Sequence, residues 1–335
     1  MKILGIETSC DETAAALIQA EGEKIKVITS VISSQVDIHR KFGGIVPEVA
    51  AREHLKNILP IIDQALGRNK WSDVDYIAVT SGPGLVTSLL VGVETAKTLS
   101  LVLKIPLLSI NHIEAHVYAN WLSGRIKLPA LSLVVSGGHT QLILINNQGH
   151  YKIIGQTLDD AIGECFDKVA KILNVGYPGG PAIEKLARSG DSKKINFPRP
   201  LINQLNYNFS FSGLKTSVLY FTRSVPNKGF LKPDICASFQ QAAVDVLVAK
   251  TVRATNEHKV KTVMLAGGVA ANQKLRTTLK NQLKKQSPKT SFMVPDFPLC
   301  TDNALMIAIA GYFKAKKGLT TPWQQLTADP NWQLS

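Results

Sequence analysis

The chain has 335 residues, and its 38 Lys and Arg residues against 25 Asp and Glu residues give a formal net charge of +13. Hydrophobic residues make up 45% of the chain, enough for the full cores of two domains of ordinary size. The four cysteines lie far apart without a C-x-x-C pair, so the sequence suggests neither a cysteine zinc site nor a disulfide framework, and a reducing cytoplasm fits. The positive charge favours a polyanionic partner, most simply nucleic acid, although many basic proteins have none.

The first part of the chain predicts an α/β unit. Strands are expected over residues 3–6, 14–18 and 26–32, followed by a helix over residues 47–66 that is apolar on one side. A strand over residues 76–80 ends in a glycine turn, and a nearly apolar helix over residues 86–102 and a strand over residues 105–110 follow. Charged residues and a proline interrupt the apolar region, so no membrane span is expected, and Glu7 comes too early for a signal peptide.

Two histidines follow the strand over residues 105–110. His112 and His116 are four residues apart, so on a helix both imidazoles lie on one face and can share a transition metal. Asp302, which also precedes a predicted helix, is a candidate for a third ligand. The alternative is that the pair consists of ordinary histidines at a helix start. The pair is not the metallopeptidase motif H-E-x-x-H, because Ile113 stands where that motif needs Glu.

The pattern restarts after residue 130, which predicts a duplicated fold. Strands are expected over residues 131–135, 141–145 and 151–154, then helices near residues 159–173, 212–223 and 233–258, a strand over 262–266 and a further helix. We therefore predict two lobes with a central cleft, residues 1–125 and residues 126–335. Residues 189–208, which include Lys193, Lys194 and Arg199, are predicted to be an irregular basic insertion in the second lobe.

Glycine turns occur at several predicted strand ends and helix starts, at residues 81–84, 136–138, 177–181 and 267–268. Backbone N–H groups in such turns can approach an anion, so a nucleotide or phosphate is a reasonable ligand. Tight turns also need glycine for conformation alone. Neither a Walker A motif nor G-x-G-x-x-G occurs, which disfavours P-loop and Rossmann folds. Asp11 and Glu12 could arrange a metal and water or only cap a turn, and Asp167 could bind a ribose or amine or only face solvent.

Seven motifs together resemble one known family. They are GIETSCDET at residues 5–13, GGIVPE at 43–48, the pair His112 and His116, SGGHT at 136–140, YPGGP at 177–181, FSGLKT at 211–216 and GGVAAN at 267–272. This set and its order resemble the TsaD family, the tRNA N6-adenosine threonylcarbamoyltransferases, in its bacterial branch without a fused kinase domain.

The resemblance implies a duplicated actin-like, sugar-kinase-like (ASKHA) α/β fold. It implies one divalent metal, Fe²⁺ or Zn²⁺, held by His112, His116 and Asp302. It also implies a pocket for substrate or nucleotide, with Glu184 as a weaker candidate beside the following residues: Val134, Val135, Ser136, Gly137, Gly138, Asp167, Gly180 and Asn272.

The reaction implied by the resemblance is an acyl transfer in the cytoplasm. The threonylcarbamoyl group passes from threonylcarbamoyl-adenylate to N6 of adenosine 37 in tRNAs that read ANN codons, forming t6A and releasing AMP. No residue is an obvious general base, and Asp11 and Glu12 are the candidates. The implied partners are tRNA, a metal-free ASKHA paralogue and a small P-loop ATPase, with the helix over residues 86–102 as a candidate pairing surface and no membrane involved.

Two other functions remain open from the residues alone. A metallopeptidase would use the two histidines, but it lacks the Glu next to the first one. A non-enzymatic, actin-like ATP-binding module would use its charge to bind nucleic acid, and it would not need the His, His and Asp set.

Overall fold

A computed structural model describes residues 1–224 and 231–334. The described chain forms two compact units, Met1–Leu122 with Thr301–Leu334, and Ser123–Cys300. Ten β-strands in the described residues are, in chain order, β1 Lys2–Glu7, β2 Glu12–Glu21, β3 Lys24–Ser34, β4 Tyr76–Gly82, β5 Leu107–Asn111, β6 Ala130–Val135, β7 Thr140–Asn147, β8 His150–Gln156, β9 Thr262–Ala266 and β10 Ser291–Met293. Ten α-helices in the same residues are α1 Val36–Arg40, α2 Pro47–Leu66, α3 Val86–Leu103, α4 His112–Tyr118, α5 Ile162–Leu173, α6 Gly179–Ala187, α7 Ser212–Ser224, α8 Lys232–Glu257, α9 Gln273–Gln286 and α10 Ala304–Lys316.

Both units contain a five-stranded sheet with one shared topology. The first sheet has the order β3-β2-β1-β4-β5, and the second, read from its other edge, has β8-β7-β6-β9-β10. In each sheet the three strands that come earliest in the sequence, β1–β3 or β6–β8, form an antiparallel meander. Two later strands extend the sheet in parallel from the first strand of that meander, β4 and β5 from β1, and β9 and β10 from β6. This repeat is the duplicated actin-like α/β fold predicted from the sequence, and that prediction is confirmed.

Helices cover apolar strands in each unit. In the first unit α2 and α3 bury Ile58, Ile62 and Val93 against strand residues such as Leu4 and Ile77. In the second unit α8 is buried along most of its length, because its turns present small and apolar side chains on nearly every face. Burial of this apolar surface is the main stabilising contribution to each unit.

The C-terminal helix α10 belongs to the first unit. The predicted boundaries assigned it instead to the second lobe, residues 126–335. All residues of α10 from Ala304 to Tyr312 are buried. The helix lies so close to β1 that a Cβ added at Gly5 would come within 2.8 Å of the Ala308 nitrogen. Only small residues permit such an approach, so the helix and the strand fit each other. Sequence periodicity does not reveal which of two similar sheets a buried helix covers.

The described residues after Lys316 form neither helix nor strand, apart from an isolated bridge between Leu107 and Thr321. They are nevertheless fixed to the first unit. The Asp329 backbone N–H donates to the Ser81 carbonyl at 2.7 Å, and Leu326 is buried in the core. The described residues after Lys316 are therefore an irregular segment that packs on the first unit.

Two helices, α3 and α8, are long and apolar enough to cross a membrane by length and composition alone. The buried core helix of a globular unit passes the same test, and 83% of the apolar window of α8 is buried. For α3 the buried share is 39%, so this helix keeps exposed apolar side chains.

Candidate metal centre and substrate-binding residues

The histidine pair is positioned by the junction of β5 and α4. Asn111 ends β5 and caps the helix, and its side-chain oxygen accepts hydrogen bonds from the backbone N–H groups of Ile113 at 2.9 Å and Glu114 at 3.1 Å. Such a cap satisfies two of the unpaired N–H groups at a helix start. The helix therefore begins at His112, and His116 lies one turn further on the same face.

Asp302 reaches the histidines from the residue before the N-cap of α10. The cap is Asn303, whose side-chain oxygen accepts from the Met306 N–H at 3.0 Å. One Asp302 oxygen, Oδ1, lies 3.4 Å from His112 Nε2 and 3.2 Å from His116 Nε2. One ligand atom of each of the three side chains lies within 4.8 Å of the others. The structure thus brings all three predicted metal ligands together within the first unit.

The surroundings of His116 fit a bound cation. This side chain is fully buried. Its Nδ1 has no hydrogen-bond partner among the described residues, and its Nε2 lies 3.2 Å from Asp302 Oδ1 without forming a hydrogen bond of good geometry. A buried polar atom without a partner costs about 1–3 kcal/mol, so such atoms are rare unless something else satisfies them. Two imidazole nitrogens and one carboxylate oxygen are a donor set suited to Zn²⁺ or Fe²⁺, and three protein ligands leave positions for substrate.

Glu7 is a functional candidate that the sequence reasoning missed. It is fully buried at the end of β1, and its Oε2 lies 3.0 Å from His112 Nδ1. Thr80 donates to the same oxygen at 2.7 Å, and the Ser9 backbone N–H donates to Oε1 at 2.5 Å. A carboxylate that accepts from Nδ1 fixes the proton there and leaves the Nε2 lone pair for a metal. The feature of the sequence that could have indicated Glu7 is an acidic residue at the end of a predicted buried strand.

The charged groups in the cluster shift one another's pKa values. Although burial disfavours charge, Asp302 and Glu7 raise the pKa of His112 well above its usual range. Burial lowers the pKa of His116, and the histidines hold the pKa of Asp302 well below its usual range in spite of burial. The site therefore carries an ionised carboxylate and a neutral His116, as metal binding needs, whereas His112 has to lose the proton on its Nε2 before that nitrogen can bind a metal.

Asp11 and Glu12 lie in the same unit, Asp11 in the turn before β2 and Glu12 as the first residue of that strand. Asp11 is buried, and its carbonyl accepts from the Gln35 backbone N–H at 3.1 Å. Burial, together with the negative charges of Asp11 and Asp302, raises the pKa of Glu12 well above its usual range. A carboxylate with a raised pKa is a better proton acceptor near neutral pH. The catalytic role of these two residues stays a prediction.

In the second unit, the predicted substrate residues Val134 and Val135 form the buried end of β6. Ser136 follows, and its carbonyl accepts from the Gly163 backbone N–H at 3.1 Å. A Cβ at Gly163 would meet this carbonyl oxygen at 2.6 Å, so only glycine lets the start of α5 come this close. Gly137 and Gly138 complete the turn, and a Cβ added at either would meet nothing within 4 Å.

Asp167 and Asn272 both have structural contacts. Asp167 accepts a hydrogen bond from the Gly179 backbone N–H at 2.7 Å, which joins α5 to the first residue of α6. A Cβ added at the next residue, Gly180, would meet open space. Asn272 caps α9 by accepting from the Leu275 N–H at 2.9 Å, and its amide donates to Gln240 at 2.8 Å. The open space beside Gly137, Gly138 and Gly180 is where a ligand could approach backbone.

Two further acids of the second unit form structural contacts. The helix predicted near residue 159 begins at Ile162, so Asp159 precedes it. Asp159 accepts from the Phe211 backbone N–H at 2.7 Å and from the Ser212 hydroxyl at 2.7 Å, and these bonds hold its pKa below the usual range although burial opposes the shift. Glu184 accepts from the Gln273 N–H at 2.9 Å and thus joins α6 to the start of α9.

Comparisons with known proteins point to one family. A family model described as "TsaD: tRNA N6-adenosine threonylcarbamoyltransferase" matches residues 26–309. A protein of that name from Thermosipho melanesiensis is 53% identical over 93% of this chain and 94% of its own. Another, from Bacillus subtilis, is 49% identical over 95% of this chain and 92% of its own.

Solved structures agree on the fold at low sequence identity. The crystal structure of "T.kodakarensis HypF" aligns with a TM-score of 0.64 at 14% identity, over 97% of this chain and 49% of that one. The activator of the 2-hydroxyisocaproyl-CoA dehydratase from Clostridium difficile aligns with a TM-score of 0.55 at 16% identity, over 95% and 97% of the two chains. These similarities concern the fold alone.

Proposed function

The chain belongs to the TsaD family of tRNA N6-adenosine threonylcarbamoyltransferases, and from this membership we propose the reaction that it catalyses. It transfers the threonylcarbamoyl group from threonylcarbamoyl-adenylate to N6 of adenosine 37 in tRNAs that read ANN codons, and it releases AMP. The observation that carries this proposal is the convergence of His112, His116 and Asp302 in a chain with these relatives.

The chemistry explains why such a cluster is useful. N6 attacks the carbamoyl carbon, the bond from that carbon to the adenylate oxygen breaks, and N6 loses a proton. An aromatic amine is a weak nucleophile, so the carbonyl has to be made more electrophilic. A divalent metal, Fe²⁺ or Zn²⁺, would supply Lewis acidity at the three ligands when bound there.

Residues of the chain supply the remaining functions. Glu7 holds the proton on His112 Nδ1 and so orients the imidazole. Glu12, whose pKa is raised, or its neighbour Asp11 accepts the proton that N6 loses. In the second unit, the adenylate lies on the backbone at Ser136, Gly137, Gly138 and Gly180, near Val134, Val135, Asp167 and Asn272. The open space beside three of these glycines supports that assignment.

The test is transfer of labelled threonylcarbamoyl from the adenylate to unmodified tRNA, with the partner proteins present. Asp302→Ala removes a ligand, so we expect transfer to fall at least about a hundredfold while tRNA binding persists. Asp296→Ala, an exposed acid shortly before it in the chain, serves as the control and should retain activity. Full activity of Asp302→Ala would contradict the metal-dependent mechanism.

The partners are part of the proposal. The chain works with a metal-free ASKHA paralogue and a small P-loop ATPase, in the cytoplasm, where reducing conditions suit its four free cysteines. Exposed apolar residues on two neighbouring helices offer a pairing surface, Leu55 and Leu59 on α2 and Leu90 and Leu101 on α3. The relatives reported above carry transferase names, which favours this function over a metallopeptidase or a non-enzymatic ATP-binding module.

A further inference from the structure

Helix α9 in the second unit has an unusual charge distribution. Its 14 residues include Lys274, Arg276, Lys280, Lys284 and Lys285 and no acid. Leu275, Leu279 and Leu283 are buried, so the helix is anchored by one apolar stripe and presents its lysines outward. Lysines four residues apart, such as Lys280 and Lys284, repel each other on a helix surface. An arrangement that costs the free protein stability suggests an anionic partner.

Three surface cavities run along the exposed side of this helix, with volumes of 370, 550 and 650 Å³. Ser192 and Lys274 line both the first and the second cavity, and Gln273 and Thr277 line both the first and the third. Because neighbouring cavities share lining residues, they form one continuous concave surface on the second unit.

Six cations line this surface, and the four exposed ones are Arg188, Lys193, Lys274 and Lys280. All four are exposed, and within residues 1–224 and 231–334 none of their side chains has an ion pair. We call these four residues and the cavities beside them the cationic track.

Other basic residues at the same place have structural contacts instead. Arg199 forms an ion pair with Asp245 at 3.0 Å, and Arg276 donates to the Pro295 carbonyl at 3.0 Å and lies 2.9 Å from Cys300 Sγ. The acid Glu184 lines the first cavity, but its carboxylate accepts from a backbone N–H at the start of α9. The four track cations are therefore available for a ligand.

We propose that the cationic track binds the sugar–phosphate backbone of the RNA substrate, an inference that rests on the function proposed above. Beside apolar residues such as Ile195 and Phe292, the cavities are lined by Ser, Thr, Asn and Gln side chains, the uncharged groups that commonly contact phosphate and sugar oxygens. Lys274 and Lys280 are six residues apart, or about 9 Å along the helix, which is a span of more than one phosphate.

A membrane surface fits the track less well. A helix that binds in a membrane interface inserts an apolar face, whereas the apolar stripe of α9 is buried in the core of its own unit. The concave shape and the four cations suit an anionic chain that lies in the surface.

The experiment compares two triple variants with the same change in net charge. Lys193→Gln, Lys274→Gln and Lys280→Gln alter the track. Lys152→Gln, Lys171→Gln and Lys261→Gln alter exposed lysines elsewhere in the same unit and serve as the matched control. Binding of an unmodified tRNA transcript is measured by fluorescence anisotropy over a range of salt concentrations, with thermal melting to verify that both variants fold.

We expect the track variant to bind more weakly and its slope of log Kd against log salt to flatten by about two to three, because each lost phosphate contact removes about 0.7–0.9. The control variant should match the unaltered chain. Equal slopes for both variants would overturn the proposal. Loss of binding to phosphatidylserine vesicles with unchanged tRNA binding would also overturn it, in favour of a membrane surface.

The transfer reaction separates this proposal from the function on which it rests. With the partner proteins present, the track variant should show a raised KM for tRNA and an unchanged kcat. If the unaltered chain transfers threonylcarbamoyl but the track variant keeps its KM, the track is wrong and the function stands. If the unaltered chain transfers nothing, the proposed function fails whatever the binding result.

Discussion

At the scale of single residues, Glu7 determines how His112 can act. Its carboxylate lies 3.0 Å from Nδ1, so the imidazole keeps a proton on that nitrogen. The other ring nitrogen, Nε2, then faces Asp302 in the candidate metal site. The Thr80 hydroxyl and the Ser9 backbone N–H fix the carboxylate in turn. Contacts of this kind around a metal ligand strengthen binding because the ligand needs no reorganisation.

The first prediction concerns this contact. Glu7→Gln keeps the size of the side chain but removes its charge, so we expect metal affinity to fall about 10- to 100-fold. Competition with a chromophoric chelator measures the affinity. Glu12→Gln is the control, because Glu12 has no hydrogen bond to His112 and should leave metal affinity nearly unchanged. Equal affinities for Glu7→Gln and the unaltered chain would show that Glu7 does not support the site.

A second residue-scale prediction concerns Lys250 in α8. Its side chain is fully buried, its ammonium donates to the Asn206 carbonyl at 2.8 Å, and burial with the nearby Arg253 lowers its pKa to about 8. A lysine in the unfolded chain titrates near 10.4. Between pH 8 and about 10.4 the unfolded chain therefore binds more protons, and this residue makes stability rise with pH across that window.

Lys250→Met should raise stability at pH 7, because it removes a cation that folding must desolvate or discharge. It should also abolish the increase of stability with pH between pH 8 and pH 10. The Asn206 carbonyl keeps a donor, since Arg253 also donates to it. Urea unfolding at pH 7 and pH 10 measures both effects, and exposed Lys261→Met is the control. A lower stability at pH 7 than that of the unaltered chain would contradict the prediction.

At the scale of elements, the contact between β1 and α10 determines where Asp302 lies. The aspartate stands two residues before α10, so any shift of that helix moves the third ligand. The contact has no spare room at Gly5, since an added Cβ would meet the Ala304 carbonyl oxygen and the Ala308 nitrogen. Backbone atoms cannot move aside as a flexible side chain can.

Gly5→Ala should therefore cost about 1–3 kcal/mol of stability and also lower metal affinity. Gly213→Ala in α7, where an added Cβ meets nothing within 4 Å, should change stability by less than about 1 kcal/mol. Thermal melting and the chelator competition give the two readouts. Unchanged metal affinity in a clearly destabilised Gly5→Ala would mean that α10 does not set the position of Asp302.

The sequence predicted most elements because strands and helices repeat their apolar residues with different periods. It predicted the set of His112, His116 and Asp302 because two of them share a helix face, and because the third precedes another predicted helix and is implied by the family resemblance. It missed Glu7, because a single buried acid forms no repeating pattern and its partner His112 lies 105 residues later in the sequence. It also missed that α10 covers the first sheet, because a helix that is apolar on all sides could cover either sheet.

At the scale of the whole molecule, exposed apolar side chains on α2 and α3 predict an interface with another chain. Leu90 and Leu101 are 43% and 52% exposed, and exposed leucines grouped on neighbouring helices commonly mark protein contacts. Leu90→Gln with Leu101→Gln should weaken co-elution with the metal-free paralogue at least about tenfold without lowering the melting temperature by more than a few degrees.

Leu205 gives the matched control for this prediction. It is 90% exposed and lies in the second unit, so Leu205→Gln should leave co-elution unchanged. Size-exclusion chromatography over a concentration series measures the association. Co-elution of the α3 variant at the concentrations that suffice for the unaltered chain would exclude this surface as the interface.

Because the first unit combines residues 1–122 with residues 301–334, the ribosome makes its two parts at different times. Asp302 follows His116 by 186 residues in the chain, 302 minus 116. At about 5–20 residues per second, the ribosome makes the two histidines roughly ten to forty seconds before the third ligand. Throughout that interval β1 lacks the helix that covers it. The cluster of His112, His116 and Asp302 can therefore form only after Asp302 has been made, and a chain truncated before Thr301 would lack its carboxylate.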